Sequence, residues 1–235
     1  MNSSLPLSLE KISFKANNKY FLRDINVKVK KGLPKVIMGP NGSGKTLLMR
    51  IAHGVLRPTS GRVYWSGSKI PPLYPRQTMV FQKPIMLNRS VETNLAFALN
   101  PVKKTSQEKK KIITEALKKI KLIEKIKVAA RSLSQGEQQK LAIIRSAILS
   151  PEIIFLDEPT SNIDPQATIE IEQLIMDISR DGSQVVMSTH NIKQAERIAG
   201  SIIFMSRGRI LKDTSSDDFF LKDQCSEIQQ FLNNV

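Results

Sequence analysis

The stretch that decides the fold is Gly39-Pro40-Asn41-Gly42-Ser43-Gly44-Lys45-Thr46. It matches the pattern G-x-x-x-x-G-K-[ST], and it lies between an apolar run at residues 36–38 and a stretch with helical periodicity. Glycines at these positions let the backbone curl, so that successive N–H groups point at phosphate oxygens. The helix that follows adds the positive end of its dipole. The stretch therefore predicts a loop that binds the phosphates of a nucleotide.

Two side chains at the end of this loop carry its chemistry. Lys45 supplies a mobile positive charge for the β- and γ-phosphates, and the Thr46 hydroxyl is a ligand for Mg²⁺. A chance glycine-rich turn is the alternative, but average residue usage produces this pattern in only about one chain in a hundred of this length. The predicted ATP-binding residues of the loop are Gly39, Pro40, Asn41, Gly42, Ser43, Gly44, Lys45 and Thr46.

Two carboxylates follow the apolar run at residues 153–156. A buried strand of a parallel sheet that ends in Asp157 places this carboxylate at the edge of the sheet where ligands bind. We expect Asp157 to bind the Mg²⁺ of a nucleotide and Glu158 to polarise the attacking water. A buried strand that leaves the core through a polar turn is the alternative, and the phosphate-binding loop makes it the weaker interpretation.

His190 stands at the end of a third apolar run, residues 185–189. Strand ends at Gly39, Asp157 and His190 would then converge on one crevice, because parallel strands share an edge of the sheet. A single histidine is more often structural than catalytic. Its position here favours a contact with the γ-phosphate.

Short apolar runs alternate with helical stretches, which predicts an α/β fold with a parallel sheet. Strands are expected at residues 7–14, 20–29, 36–38, 62–65, 79–81, 153–156 and from 184, with a final hairpin of 202–205 and 209–212. Helices are expected at residues 45–53 and 166–180. The first two strands are expected to pair antiparallel.

The region from residue 83 to residue 150 differs in character from the rest of the chain. It is rich in Lys, Leu, Ile, Glu and Gln, and Leu117, Ile120 and Ile123 have the spacing of an amphipathic helix. We expect one domain over residues 1–235. Its α/β core comprises residues 1–82 and 151–212, with a helical subdomain at 83–150 and a closing helix at 213–235.

The chain of 235 residues has a formal charge of +15, from 36 basic and 21 acidic residues. Residues 103–131 hold ten lysines and one arginine against three glutamates. No aromatic residue lies among them, so the stacking surface expected for single-stranded nucleic acid is missing and no nucleic-acid partner is expected. A solvated helical face is the leading interpretation of this charge, and attraction to anionic lipid headgroups is the second.

Cellular location is predicted from what the sequence does not contain. Cys225 is the single cysteine, so no disulfide can form within the chain. No apolar run approaches the roughly 18 residues of a membrane span, and the first ten residues do not have the pattern of a signal peptide. These observations predict a cytoplasmic protein that acts at a membrane only through a partner.

Leu133-Ser134-Gln135-Gly136-Glu137 resembles the Leu-Ser-Gly-Gly-Gln signature of ABC transporter nucleotide-binding subunits. Ser134 and Glu137 also have the spacing of a capping box, so a helix is expected to begin here with an N-terminus suited to an anion. A capped helix without further function is the alternative. With the phosphate-binding loop and the two carboxylates, the resemblance to the ABC family extends over nearly the whole chain.

The resemblance implies a P-loop NTPase core of the RecA-like type, with an N-terminal antiparallel β subdomain and an inserted helical signature subdomain. It also implies a homodimer with two ATP molecules at its interface. Ser134, Gln135, Gly136 and Glu137 would bind the ATP of the partner subunit. Transmembrane permease subunits would hold the dimer at the cytoplasmic face of the membrane, and a solute-binding protein would be an indirect partner.

Individual roles also follow from the resemblance. The catalytic residues would be Glu158, His190 and Gln82, where Gln82 links Mg²⁺ and water to the helical subdomain. The Mg²⁺ ligands would be Thr46, Gln82 and Asp157. Asp164, in the segment 161–164, would lie in the loop that crosses the dimer interface.

The chain departs from the family pattern at three positions. Gln135 replaces the first signature glycine, and Glu137 replaces the signature glutamine. Ala16 stands where an aromatic residue usually stacks on adenine, and neither Phe14 nor Tyr20 is a convincing substitute. We therefore expect weak selectivity for adenine, with GTP hydrolysed within about tenfold of ATP.

A narrower resemblance concerns the transported solute. Residues 53–61, Trp65, residues 80–84 and residues 188–191 are similar to the ATPases of tungstate-type oxyanion importers. This similarity implies import of a tungstate-like oxyanion, with molybdate or phosphate next. An exporter ATPase is the first alternative. A soluble ABC protein that acts on nucleic acid is the second, although such proteins have two such domains or a long coiled-coil insertion.

Overall fold

The computed structural model describes residues 5–66, 76–221 and 225–233. Its strands are β1 (Leu7–Ala16), β2 (Lys19–Val29), β3 (Lys35–Met38), β4 (Ser60–Trp65), β5 (Gln77–Val80), β6 (Ile153–Asp157), β7 (Gln184–Thr189), β8 (Ser201–Ser206) and β9 (Arg209–Ser215). Its helices are α1 (Lys45–His53), α2 (Val91–Ala98), α3 (Ser106–Lys119), α4 (Gln135–Ala147), α5 (Pro165–Arg180), α6 (Ile192–Ile198), α7 (Ser216–Leu221) and α8 (Ser226–Asn233). Within these ranges, no helix is long and apolar enough to span a bilayer.

The strands form two sheets. A six-stranded sheet has the order β5-β6-β7-β3-β8-β9, in which all neighbours pair parallel except β9, which is antiparallel to β8. A smaller antiparallel sheet has the order β2-β1-β4. The prediction of an α/β fold with a parallel sheet is confirmed, and so is the antiparallel pairing of the first two strands.

The large sheet is covered on both faces, as its sequence predicts. Strands β3, β6 and β7 are buried at every residue, which is the pattern of parallel strands that have packing on both sides. Alternate residues of β6 face opposite cores. Ile153 and Phe155 pack with α1 and the antiparallel sheet, whereas Ile154 and Leu156 pack with the helices on the other face.

Only helices and short turns connect β5 to β6, as expected for this region. One prediction here is wrong in extent, because α3 ends at Lys119 and Ile123 lies in a separate 3₁₀ turn, Ile123–Lys125. Lys121 adopts a left-handed conformation with φ of 57°, and the Leu122 N–H donates to the Leu117 carbonyl at 2.9 Å. This hydrogen bond terminates the helix in the manner of a Schellman motif.

The end of the chain also differs from the expected single helix over residues 213–235. Strand β9 continues to Ser215, because Asp213 and Thr214 pair with β8. The Ser215 hydroxyl then accepts a hydrogen bond from the Asp218 N–H at 3.2 Å and starts α7. A second helix, α8, begins at Ser226 after the non-helical Cys225. Residues 222–224 and 234–235 of the expected helix lie outside the described residues, as do residues 1–4 and 67–75.

The strand order brings the predicted functional residues to one edge of the large sheet. Strands β6, β7 and β3 are consecutive neighbours, so their carboxyl ends lie side by side. Asp157, His190 and Gly39 stand at these three ends. The three strand ends therefore lie side by side at one edge of the sheet, and of these three residues His190 lines the crevice described below.

Candidate active site

The loop between β3 and α1 is shaped by glycines at positions where any other residue would be strained. Gly39 has a φ of 141°, and a Cβ there would collide with the Met205 carbonyl oxygen. Gly44 has a φ of 105°, and its Cβ would lie 2.6 Å from Leu22 Cδ2. Gly44 is also the N-cap of α1 and brings no side chain to accept from the first amides of the helix. These amides thus present the kind of anion site that a phosphate group fits.

Lys45 is held inside the loop rather than extended into solvent. Its side chain is 5% exposed, and its Nζ donates to the Gly39 carbonyl at 2.8 Å and to the Pro40 carbonyl at 3.2 Å. Burial lowers the pKa of the Lys45 ammonium, while the carboxylates of Glu158 and Asp157 oppose this shift. The Ser43 hydroxyl is buried beside it without a hydrogen-bond partner among the described residues. An anionic group in this loop would meet the positive charge of Lys45, which lines the crevice, whereas Ser43 does not.

Asp157 joins the loop to the neighbouring strand. One of its oxygens accepts from the Thr46 hydroxyl at 3.0 Å and from the Ser188 hydroxyl at 2.7 Å. Hydroxyl and carboxylate oxygens are ligands that Mg²⁺ prefers, and Mg²⁺ takes few protein ligands when it binds with phosphates. The donor set at Thr46 and Asp157 therefore fits this ion.

Glu158 is contacted by the other predicted catalytic residues. Its Oε1 lies 3.7 Å from Lys45 Nζ and 3.4 Å from His190 Nδ1, and its Oε2 accepts from Gln82 Nε2 at 3.4 Å. The backbone of Glu158 is left-handed, with φ of 44°, and its N–H donates to the Ser188 hydroxyl at 3.0 Å. Such strained backbone persists where the surrounding structure enforces it, often at active sites. The structure thus aims one carboxylate into the crevice and contacts it with three predicted side chains.

A crevice of about 800 Å³ is lined by most of the predicted site residues: Asn41, Gly42, Gly44, Lys45, Thr46, Gln82, Glu158 and His190. Gly39, Pro40, Ser43 and Asp157 are not part of its lining. Phe21 of β2 lines the same crevice with 40% of its surface exposed, and it is not among the residues predicted from the sequence. The comparison of Ala16 with the family pattern directed attention to Phe14 and Tyr20 instead. The alternation of the strand does not indicate it either, because Phe21 is in phase with the buried Ile25, Val27 and Val29, and Phe21 is exposed only because the pairing of β2 with β1 shifts its register.

The signature residues lie at another surface, outside the lining of the crevice. The expected capping box is confirmed, because the Ser134 hydroxyl accepts from the Glu137 N–H and Glu137 Oε2 accepts from the Ser134 N–H. Lys125 Nζ forms a 2.6 Å ion pair with Glu137. Gly136 packs so closely on α5 that a Cβ would lie 2.7 Å from that of Ala167. Serine and glycine are thus required locally to start and seat α4.

Asp164 is likewise separate from the crevice. It is the N-cap of α5, and its side chain accepts from the Ala167 N–H at 2.8 Å. Ser161 and Asn162 of the same loop do line the crevice, and Gln82 Nε2 donates to the Ser161 hydroxyl at 3.2 Å. The loop 161–164 therefore runs from the crevice to an exposed helix start.

A glycine-rich loop between a buried strand and a helix, with an Asp and a Glu at the end of a neighbouring strand, defines a P-loop NTPase. More narrowly, the chain belongs to the ABC transporter family, whose sequence profile matches residues 22–161.

Individual relatives support this assignment. The chain is 30% identical to "Phosphate import ATP-binding protein PstB" of Mycoplasma mobile, over 99% of this chain and 89% of that protein. It is 36% identical to "Tungstate uptake system ATP-binding protein TupC" of Peptoclostridium acidaminophilum, over 78% of this chain and 85% of that protein.

Among solved structures, the chain is similar to the dimeric post-hydrolysis state of the ATP-binding cassette MJ0796 bound to ADP and Pi. The TM-score is 0.79 at 27% identity, over 89% of this chain and 98% of that one. The chain is an ATP-binding subunit of an ABC transporter, and its activity is ATP hydrolysis coupled to transport.

Proposed function

We propose that the chain hydrolyses MgATP as one half of a homodimer at the cytoplasmic face of a membrane, and that hydrolysis drives import of a tungstate-like oxyanion. The observation that carries the ATPase part is the set of contacts around Glu158. Lys45, Gln82 and His190 all contact its carboxylate at the mouth of the phosphate-binding loop.

Each of these side chains has a separate role in the proposed hydrolysis. Lys45 and the first amides of α1 bind the β- and γ-phosphates, and Glu158 accepts a proton from the attacking water. His190 contacts the γ-phosphate, and Gln82 orients the water. Mg²⁺, bound by Thr46, Gln82 and Asp157, would neutralise charge on the phosphate oxygens when present.

The dimer is supported by the position of the signature residues and Asp164, which lie outside the crevice of their own protomer. The exposed start of α4 carries Ser134, and the exposed start of α5 carries Asp164, yet neither lines the crevice. A helix start is an anion site, so α4 is suited to the γ-phosphate of a partner's ATP. The similar MJ0796 cassette is a dimer bound to ADP and Pi. Two ATP molecules would then join the two chains.

A second cavity is the proposed contact site for the permease. It is a groove of about 660 Å³ on another part of the surface. We define this groove by its lining residues His53, Gln77, Thr78, Met79, Ile85, Leu87, Phe97, Ala98, Asn100, Pro101, Arg145 and Ser146. Ile85 is 67% exposed and Phe97 is 52% exposed. An exposed apolar groove is typical of a protein interface. The resemblance to the ABC family implies that the segment around residues 82–88 meets the membrane subunit, and Ile85 and Leu87 of this segment line the groove.

An oxyanion is the proposed solute because two relatives are named for oxyanions, phosphate for PstB and tungstate for TupC. Residues 53–61 and 80–84 carry the narrower resemblance to tungstate ATPases. Other relatives are named for methionine and glutamine, so the solute is the part of the proposal that most needs a direct test.

Uptake of labelled tungstate, molybdate and phosphate by cells that lack this subunit tests the solute. We expect tungstate uptake to fall to background and to return with the wild-type gene but not with a Lys45→Ala gene. Normal uptake of all three anions would reject the oxyanion assignment. Higher rather than lower accumulation of a solute would instead favour export. Neither result would affect the ATPase, which is measured on the purified chain.

A further inference from the structure

Five lysines at the start of α3 form a basic cluster, which we define as Lys103, Lys104, Lys109, Lys110 and Lys111. Four of them are exposed, and Lys109 is partly buried. Within the described ranges, none of the five forms an ion pair. Later lysines of the same segment do pair, in Lys119–Asp181, Lys121–Glu170, Lys125–Glu137 and Lys127–Glu92. The segment therefore contains paired lysines at one end and unpaired lysines at the other.

The basic cluster lies at the end of α3 where positive charge does not stabilise the helix. Lys103 and Lys104 precede the N-cap Thr105, and the other three lie in the second turn of α3. Positive charge near a helix N-terminus opposes the helix dipole. The one acid of the first turn, Glu108, is held by the capping box, where its side chain accepts from the Thr105 N–H at 2.7 Å. Lys104 lies close enough to Glu108 to interact with its carboxylate, but helix stability gives no reason for the other four lysines at this end.

The basic cluster begins next to the groove. Asn100 and Pro101 line the groove, and Lys103 follows Pro101 by two residues, so their Cα atoms are at most about 7 Å apart. If the groove holds a permease, as proposed above, residues at the edge of the groove lie beside that permease. The basic cluster would lie at this edge.

We propose that the basic cluster binds the anionic headgroups of the lipids that surround the permease. This inference rests on the proposed permease contact for its geometry. Each lysine close to an anionic surface contributes an attraction that salt screens. Nucleic acid fits less well, because residues 103–131 contain no aromatic side chain for stacking. The contact would orient the subunit on the membrane beside its partner.

Sedimentation of the full chain with lipid vesicles tests the inference. One set of vesicles is phosphatidylcholine alone, and the other contains phosphatidylglycerol in addition. We expect binding only to the anionic vesicles, and less of it at high salt. The combined variant Lys103→Gln, Lys104→Gln, Lys110→Gln and Lys111→Gln should bind the anionic vesicles at least about tenfold more weakly.

A matched variant separates the basic cluster from the overall charge. Lys11→Gln, Lys28→Gln, Lys30→Gln and Lys31→Gln remove the same charge from exposed positions near the antiparallel sheet. We expect this variant to bind the anionic vesicles as the wild type does. Equal losses in both variants would overturn the inference, and so would equal binding of the wild type to both kinds of vesicle.

Capture of the permease in lipid-free detergent provides a further readout. We expect the cluster variant to capture the permease normally, because the apolar groove is unchanged. Loss of capture with normal vesicle binding would assign the basic cluster to an acidic segment of the permease and overturn the lipid inference. Failure of the wild type to capture any permease would reject the proposed function instead, and the vesicle result would stand apart from it.

Discussion

The crevice and the groove differ in chemistry although one short segment contributes to both. The crevice is lined by charged and polar groups, among them Lys45 and Glu158, whereas the groove exposes Ile85 and Phe97. Gln82 lines the crevice, and Ile85, three residues later, lines the groove. The proposed hydrolysis and the proposed permease contact are therefore close together in the molecule but depend on different physical forces. Substitutions should affect one site without the other.

Helix α4 provides a second connection between functional surfaces. Its first residues follow Ser134 of the signature, and Arg145 near its other end donates to the Ile85 carbonyl at 2.7 Å and to Asn94 Oδ1 at 3.0 Å. Asn94 in turn holds the backbone of residues 87–90 through four hydrogen bonds. One rigid helix thus joins the surface proposed for a partner's ATP to the groove proposed for the permease.

The largest effect is expected in the crevice, from Lys45→Ala. The variant loses the buried charge that binds the β- and γ-phosphates, so ATP hydrolysis should fall by about a hundredfold or more and nucleotide binding should weaken strongly. Phosphate release and nucleotide titration on the purified chain measure both effects. Circular dichroism shows whether the variant is folded. Arg57→Ala, outside the crevice, is the control, and unchanged turnover in Lys45→Ala would remove the central claim.

Glu158→Gln should separate binding from chemistry. Glutamine keeps the shape of the side chain but cannot accept the proton of water, so hydrolysis should fall by about a hundredfold or more while ATP still binds. The variant should then accumulate as a closed dimer, visible by size-exclusion chromatography with MgATP. Adding Ser134→Arg places bulk where a partner's phosphate would bind, and it should prevent the dimer.

Two outcomes of this experiment would contradict the mechanism. A Glu158→Gln chain that stays monomeric at saturating ATP, with or without the permease, would show that ATP does not join two subunits. Normal turnover would show that Glu158 is not the base. Glu196→Gln, on the exposed side of α6, removes the same charge away from the crevice and should behave as the wild type.

In the groove, Ile85→Asp combined with Phe97→Asp should weaken permease capture by about tenfold or more, because both changes put a charge into an apolar interface. ATP hydrolysis by the isolated subunit should stay within about twofold of the wild type. Leu221→Asp is the matched control, since Leu221 is 84% exposed and lies outside the groove. Equal loss of capture in the control would deny the groove any special role.

The difference between the crevice and the groove also explains why the residues of the crevice could be predicted from the sequence. The crevice uses residue types that backbone geometry dictates, such as Gly39 and Gly44, at fixed spacing from Lys45. Strand ends at Asp157 and His190 follow from apolar runs, and the shared edge follows from parallel pairing. These elements could therefore be predicted together from local patterns.

The groove could not be predicted in the same way, because its lining is collected from separate parts of the chain. The groove is lined by apolar or weakly polar residues such as His53, Ile85 and Phe97, and the sequence does not distinguish these from core residues. Tertiary packing determines the environment of His53, because its ring lies against Phe155 and burial lowers the pKa of its imidazole. The ends of α3 and the split of the final helix likewise depend on single turn residues rather than on periodicity.

The smallest effect is expected at Phe21, the aromatic residue of the crevice that the sequence did not indicate. Its ring is the group in the crevice best suited to stack on a base, and loss of such a contact weakens binding by about tenfold. Every base offers a flat aromatic face, so Phe21→Ala should weaken ATP and GTP to similar extents. GTP should support hydrolysis within about tenfold of ATP in both proteins.

Tyr20→Ala is the control, because Tyr20 is exposed but does not line the crevice. Measured affinities for both nucleotides decide the matter. A loss in Tyr20→Ala instead would move the base to the other side of β2, and a much larger preference for ATP would require a polar group that reads adenine.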